Sequence, residues 1–248
     1  MTAAPAFAPV TFEVAGLACR LECAYAKPML WVTELHPAFR SERAADVHVS
    51  FDYDDGYWTR GLPWVATDRL IDAPVHEPDA RGGAQLRSAY YDAEIDRSGR
   101  QVKTRIAGGF GVGGMLRALY ATLLPARGAC LVRATVRLVD AGAILVCDDP
   151  DDGVVALVSD GAHVAVEPTP FHGGTTTLRA SRRRVIAIDA GDDGISKATA
   201  AARVLANVVV VDHSPRTLER VLDVVMRLPN IGPIPGRLTR ERVASAGR

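Results

Sequence analysis

The sequence predicts an α/β fold: a β-rich N-terminal lobe over residues 1–107, a mixed-sheet lobe with C-terminal helices over residues 108–235, and a tail over residues 236–248. Three observations carry this. Up to about residue 107 the chain alternates apolar and polar residues in short runs separated by turn residues, as strands do. A glycine-rich stretch, GGFGVGG, then leads into a helix stopped by Pro125 and Gly128. The last third turns helical by period, with Ser214 as N-cap and Pro215 in the first turn of its final helix.

Taken in order, TFEVAG and ACRLECA read as strands around Gly16, and VHVSFDY sets Val47, Val49, Phe51 and Tyr53 on one face of a half-buried strand. APVHEPDARGG has the Pro, Gly and charge content of an exposed loop. QLRSAYYDAEIDRSGRQVKTRIA reads as two strands closed by a turn at Asp96 to Gly99, where Ser-Gly supplies the positive φ. Next, Gly109, Gly111 and Gly114 match GxGxxG between a strand and a helix. A dinucleotide site also needs an acidic residue about twenty residues further on, at the end of the next strand. That position falls on Ala134, beside Arg133, and the nearest acid is Asp140. The glycines therefore fit a hinge between the two lobes better than a Rossmann turn.

GACLVRATVRLVD and GAILVCD follow as strands joined at Asp140, Ala141 and Gly142, and then comes an acidic loop with Asp148, Asp149, Asp151 and Asp152 around Pro150. Two more strands lie in GVVALVSDGAHVAVEP, and the cationic run RASRRR abuts the strand VIAID. In the helical third, Ile195, Ala198, Ala202 and Leu205 form one apolar stripe, and Leu218, Val221, Leu222 and Val225 form another; both read as core.

Bulk properties narrow the function. With 248 residues, 48% of them hydrophobic, the chain can bury a sizeable core. Lys plus Arg equals Asp plus Glu at 29 each, so no net charge draws it to nucleic acid or to an anionic membrane. The N-terminus lacks a basic segment followed by an apolar core, and no apolar run reaches membrane-span length, so a cytoplasmic location is expected. Cys19, Cys23, Cys130 and Cys147 lie in apolar runs and read as buried thiols.

The succession of a helix ending in LLP, a strand GACLVRA, a hairpin, GAILVC, a loop, LVSDG and VEPTPFHGG resembles proteins related to the bacterial HPr kinase/phosphatase family, with its PEP carboxykinase-type nucleotide fold. The likeness spans roughly residues 116–235, with a vaguer one at VTFEVAGLACRLEC. The family implies a strand with a His-Ala pair, a hairpin into a Walker-type phosphate loop, and an acidic strand end that binds metal. The sequence departs from that pattern wherever the chemistry resides. With Gly153 on the second glycine of the loop, Asp148 takes the place of the first, Val154 that of the lysine and Val155 that of the hydroxyl ligand to Mg²⁺. Arg133 stands where the histidine would be, and Gly161 follows Asp160 where a second acid often occurs.

A phosphate loop also needs a helix N-terminus aimed at the anion. Between Gly153 and Gly161 only VVALVSD is available, seven residues rich in β-branched side chains. Four carboxylates would further oppose a triphosphate by about 1 kcal/mol per close charge pair even in water. Placed on a calcium loop starting at Asp148, the same aspartates put Pro150 at position three and Ser159 at position twelve, where ligands are wanted. They read as a solvated turn.

The expectation is a non-catalytic, pseudokinase-like adaptor or regulatory module that binds a protein or peptide partner, with no cofactor. ATP and Mg²⁺ enter only in the alternative, a divergent ATP-dependent serine kinase or phosphotransferase of this family; a structural subunit of an assembly is a further alternative. Phe171 and His172, helped by Arg182, Arg183 and Arg184, are the expected partner contacts, because the resemblance puts the EPTPFHGG loop on the substrate face. Asp160 is the metal candidate, with a plain turn residue as its other reading.

Overall fold

The structure is a computed structural model, and it describes residues 7–30, 33–34, 36–53, 75–78, 82–88, 90–106, 110–147, 153–171, 182–189 and 197–229. Strands β1 (Val10–Val14) and β2 (Leu17–Cys23) form a hairpin across Ala15 and Gly16, both at positive φ, the two-residue turn whose twist suits paired strands. A short helix α1 (Ala26–Leu30) follows, then β3 (Val47–Tyr53), β4 (Val75–Pro78), β5 (Ala84–Arg87), β6 (Tyr91–Ile95) and β7 (Gln101–Ile106). These seven strands make one sheet in the order β1-β2-β3-β7-β6-β5-β4, parallel at β2-β3 and β3-β7 and antiparallel elsewhere.

Two expectations are corrected in this sheet. The stretch assigned to an exposed loop contains β4, which pairs with β5 at the sheet's edge, where a proline such as Pro78 costs no ladder hydrogen bond. The segment read as a single hairpin holds three strands, because Ser88 turns the chain back from β5 into β6 by donating its N–H to the Tyr91 carbonyl. The turn at Asp96 is as expected: its carboxylate accepts from Ser98 Oγ and from the Arg100 and Gln101 N–H groups, and Gly99 has φ 68°.

Helix α2 (Phe110–Leu123) follows, and a 3₁₀ turn at Leu124–Arg127 ends at Gly128, which is left-handed and donates its N–H to the Leu124 and Pro125 carbonyls. The remaining strands are β8 (Ala129–Val139), β9 (Gly142–Val146), β10 (Gly153–Ser159), β11 (Val164–Pro168) and β12 (Arg183–Asp189). They close on themselves in the order β10-β11-β12-β9-β8, with β12-β9 as the one parallel pair in this barrel. Helices α3 (Lys197–Ala206) and α4 (Pro215–Met226) complete the described elements, and none of these helices is long and apolar enough to cross a membrane.

Two cores hold the elements. The first joins the N-terminal sheet (Phe12, Leu17, Leu21, Val49, Ile106) to α2 (Met115, Leu116, Leu119, Tyr120) and to one face of β8 and β10 (Leu131, Val154, Ala156). The second joins the opposite face of β8 and β10 (Cys130, Val132, Val155, Leu157) to α3 and α4 through Val204, Val221 and Val224. The first core therefore runs straight across the expected lobe boundary at residue 108. Tyr120 ties it together: its hydroxyl, with no exposure, donates to the carbonyl of Phe12 at 2.8 Å and approaches that of Leu17 at 3.3 Å.

The glycine segment is thus neither a dinucleotide turn nor a hinge over its described part. Gly111 and Gly114 lie inside α2 and let it approach β6: a Cβ at Gly111 would stand 2.8 Å from the Tyr90 carbonyl oxygen, and one at Gly114 3.6 Å from the Tyr91 ring. The apolar stripes of the last helices are also shifted from expectation. On α3 the buried face is Ala200, Ala201 and Val204, with Ala198 and Ala202 exposed; Ile195 lies outside the described residues. On α4, Ser214 caps the helix as expected and Val221 and Val225 are buried, but Leu218 and Leu222 are 43% and 44% exposed, as is Met226 at 47%.

The two glycines separate packing from propensity. Gly111→Ala is expected to lower stability by about 1–2 kcal/mol, because the added carbon meets backbone that cannot step aside. Gly114→Ala is expected to be neutral or to stabilise by up to about 1 kcal/mol through helix propensity. Urea denaturation of both variants checks this, and equal effects would contradict the close approach at Gly111.

Candidate functional site

At the position of the expected phosphate loop, β9 ends at Val146, opposite Thr135, and β10 starts at Gly153, opposite Ala134. Asp148, Asp149, Asp151 and Asp152 lie between these anchors and outside the described residues. From Gly153 on, the chain is extended, paired with β8 on one side and β11 on the other. Gly153 through Val158 are buried, and Val154, in the place of the lysine, is 3% exposed in the first core. A helix cannot begin here, because successive side chains of β10 enter opposite cores, which is the period of a strand.

Asp160 serves the β10-β11 turn. Its Oδ1 accepts from the N–H groups of Ala162 at 3.0 Å and His163 at 2.7 Å, and these bonds, that of His163 foremost, hold its carboxyl below the usual range. Among the described residues no three His, Cys, Asp or Glu side chains are grouped to hold a metal ion. The four cysteines are buried as free thiols, and burial pushes Cys19 and Cys130 up to about 12.

The expected partner face is only partly available. Phe171 is 4% exposed, its ring packs against Tyr120 at 5.6 Å between centroids, and its N–H donates to Thr169 Oγ1. Its assignment as a partner contact is therefore corrected: Phe171 is turned inward, and its ring completes the first core. His172 lies outside the described residues. Arg182 pairs with Glu167 at 3.5 Å; burial, partly countered by that arginine, raises the Glu167 carboxyl. Arg183 and Arg184 are exposed on β12, opposite Val166 and Ala165.

Among the described residues, two concavities bear polar side chains. On the outer face of the N-terminal sheet, Asp52, Asp92, Glu94, Lys103 and Arg105 line a shallow space of about 410 Å³. There Asp92 faces Arg105 and Glu94 faces Lys103 across adjacent strands, so each charge has an opposite neighbour and the group stabilises the sheet. The second is of another kind. A cleft of about 350 Å³ lies among α2, β8 and residues 206–213, lined by Gly114, Arg117, Arg133, Asn207, Val209 and His213 among others. Its outer wall is built by main-chain bonds: the Arg133 N–H donates to the Asn207 carbonyl and the Val209 N–H to that of Leu131, both at 2.9 Å, which lays the segment after α3 along the edge of β8. The chain after α3 thus bridges to β8 at Val208, opposite Val132.

The segment is fixed at its far end by Asp212. This carboxylate accepts from the Ser214 N–H, Ser214 Oγ and Thr217 Oγ1 at the start of α4, and His76 of β4 stands 3.8 Å away. Burial opposes its charge, yet the Thr217 and Ser214 bonds and the imidazole outweigh burial and keep the carboxyl below its usual range. Two guanidiniums, those of Arg117 and Arg133, line the cleft. Of these, Arg133 was singled out in the sequence as the residue in the histidine's place. Arg117, Asn207 and His213 were not, although Arg117 is the only charge in an otherwise apolar helix, and that is the signal that marks it.

No protein-family model matches the chain, and no curated protein is significantly similar to it.

The corrected role of Phe171 has a direct consequence. Phe171→Ala is expected to cost about 3–5 kcal/mol of stability, the range for a buried phenylalanine truncated in a packed core. Chemical denaturation measures it, and a loss below about 0.5 kcal/mol would return Phe171 to the surface.

Proposed function

We propose that the chain is a non-catalytic, HPr-kinase-like protein: a pseudokinase that acts as an adaptor or regulatory binding module for a protein or peptide partner, without a nucleotide cofactor. One observation carries this reading. Where the resemblance implies a phosphate loop opening a helix, the chain runs as the buried strand β10, with Val154 packed in the core in place of a lysine. Phosphoryl transfer depends on positioned cationic and N–H groups around the phosphates. Neither a lysine nor a helix N-terminus is supplied by the described residues from Gly153 to Ser159. The exposed Arg183 and Arg184 on β12, beside the Arg182–Glu167 pair, remain the partner contacts this reading favours, through electrostatic steering of an acidic surface.

The test is nucleotide binding. ATP or GTP with Mg²⁺ at millimolar concentration is expected to leave the melting temperature unchanged. A ligand present at a hundred times its dissociation constant would stabilise the fold by about 2.7 kcal/mol. A saturable rise with ATP would overturn the reading in favour of a divergent kinase.

A further inference from the structure

Two elements far apart in sequence meet at a single charged contact. His76 lies on β4, the edge strand of the N-terminal sheet, and its register partner Leu86 is fully buried, so the imidazole is on the core side of the sheet. Asp212 lies where residues 206–213 lead into α4. Nδ1 of His76 stands 3.8 Å from Asp212 Oδ1, with the two side chains 13% and 18% exposed. At that distance a neutral imidazole makes no hydrogen bond, while an imidazolium makes an ion pair shielded from most of the solvent. The carboxylate is oriented for it by the Ser214 N–H at 2.9 Å, Ser214 Oγ at 3.0 Å and Thr217 Oγ1. Burial opposes its charge, but the Thr217 and Ser214 bonds outweigh burial, so Asp212 stays ionised through neutral and mildly acidic pH. The neighbouring charges are otherwise placed. Glu77 lies on the other face of β4, opposite Gln85, and pairs with Arg87 at 3.2 Å, while His213 and Arg216 on either side of Ser214 and Pro215 are exposed. Among the described residues, Asp212 is the one acid within ion-pair distance of His76.

We propose that His76 and Asp212 form an acid-strengthened latch between the N-terminal sheet and the start of α4. Histidine is the side chain whose charge ordinarily changes between pH 5 and 8, and its two protonation states give this contact different strengths. With the imidazole protonated, the ion pair ties β4 to the segment that walls the cleft, where Val211 and His213 line the cleft on either side of Asp212. As the pH rises and the proton leaves, the pair is lost, and β5 is then the one described strand that holds β4. The sign follows from the pair itself: the latch contributes in mild acid and is lost as the pH rises through the imidazole's titration. Its release loosens the wall of the cleft at the point where α4 begins. The latch does not depend on the absence of a nucleotide loop and stands whether or not the chain proves to be a pseudokinase.

The experiment is a double-mutant cycle on the full chain, with His76→Gln, Asp212→Asn and the double variant unfolded in urea at pH 5.5 and at pH 8.0. The coupling between the two residues is expected to be about two- to fivefold in the unfolding equilibrium constant at pH 5.5, the range of partly exposed ion pairs, and about one at pH 8.0. A merely structural contact would couple equally at both, and titration of the other histidines cancels in the cycle. Asp212 also caps α4, so a second measurement serves if Asp212→Asn unfolds. Hydrogen-exchange protection factors of the β4 amides, which already correct for the pH dependence of chemical exchange, are compared between wild type and His76→Gln. They are expected to be about two- to fivefold lower in His76→Gln at pH 5.5 and equal at pH 8.0, with 1 M NaCl removing most of the difference. Equal coupling at the two pH values, or coupling confined to pH 8.0, would overturn the proposal. So would β4 protection factors that His76→Gln leaves unchanged at pH 5.5.

Discussion

Helix α2 is apolar around almost its whole circumference, and a helix of that kind must be covered on more than one side. The N-terminal sheet covers one side and the outer face of β8 and β10 the other, so the two halves of the chain are joined by the burial of a single helix. Tyr120 adds direction to this burial. A buried phenol must place its hydroxyl, and the Phe12 and Leu17 carbonyls at the end of the first hairpin receive it, which fixes how the helix lies along the sheet. Gly111 permits the near contact with β6, and Gly128 ends the following turn so that β8 can begin at Ala129. Where the cover stops, the helix carries its one charge, Arg117, and the cleft begins.

The same packing explains the form of β10. Val154, Ala156 and Val158 fill the first core while Val155 and Leu157 fill the second, so every residue along this stretch is committed to one face or the other. Strands buried on both faces read as unbroken apolar runs, and GVVALV is such a run. A phosphate-binding helix at this point would withdraw these side chains from both cores. Val154 and Val155 are therefore set by packing, since a lysine or a hydroxyl at these positions would be buried in one core or the other.

Much of the sheet structure was legible, because alternation in VHVSFDY and QVKTRI leaves little choice of face, two strands meet around Gly16, and Asp96 to Gly99 is a turn whose Ser-Gly supplies the positive φ. What was hidden was hidden for identifiable reasons. Pro78 and the charges around it disguised β4, since an edge strand tolerates what a central one does not. Val208–Val210 are apolar like α3 before them, but the Val209 N–H donates to the Leu131 carbonyl and the Asn207 carbonyl accepts from the Arg133 N–H of β8, and a pattern in one segment does not register an open edge on another. On α4 the apolar arc is wider than the surface that covers it, so Leu218 and Leu222 belong to the stripe by period and to the solvent by position. At the site, Arg133 was visible as a charge within a buried strand. Its neighbourhood with Arg117, Asn207 and His213 arises only when α2, β8 and the segment after α3 come together.

The extended course of the chain after the aspartates is the feature on which both the fold and the functional reading rest. Backbone carbon chemical shifts for Gly153–Ser159, with amide exchange rates over the same residues, test it most directly. Shifts of strand type throughout, with slowly exchanging amides that stay unchanged when ATP and Mg²⁺ are added, are expected from a strand paired on both sides. Helical shifts beginning at Gly153, or a nucleotide-dependent change confined to these residues, would contradict it.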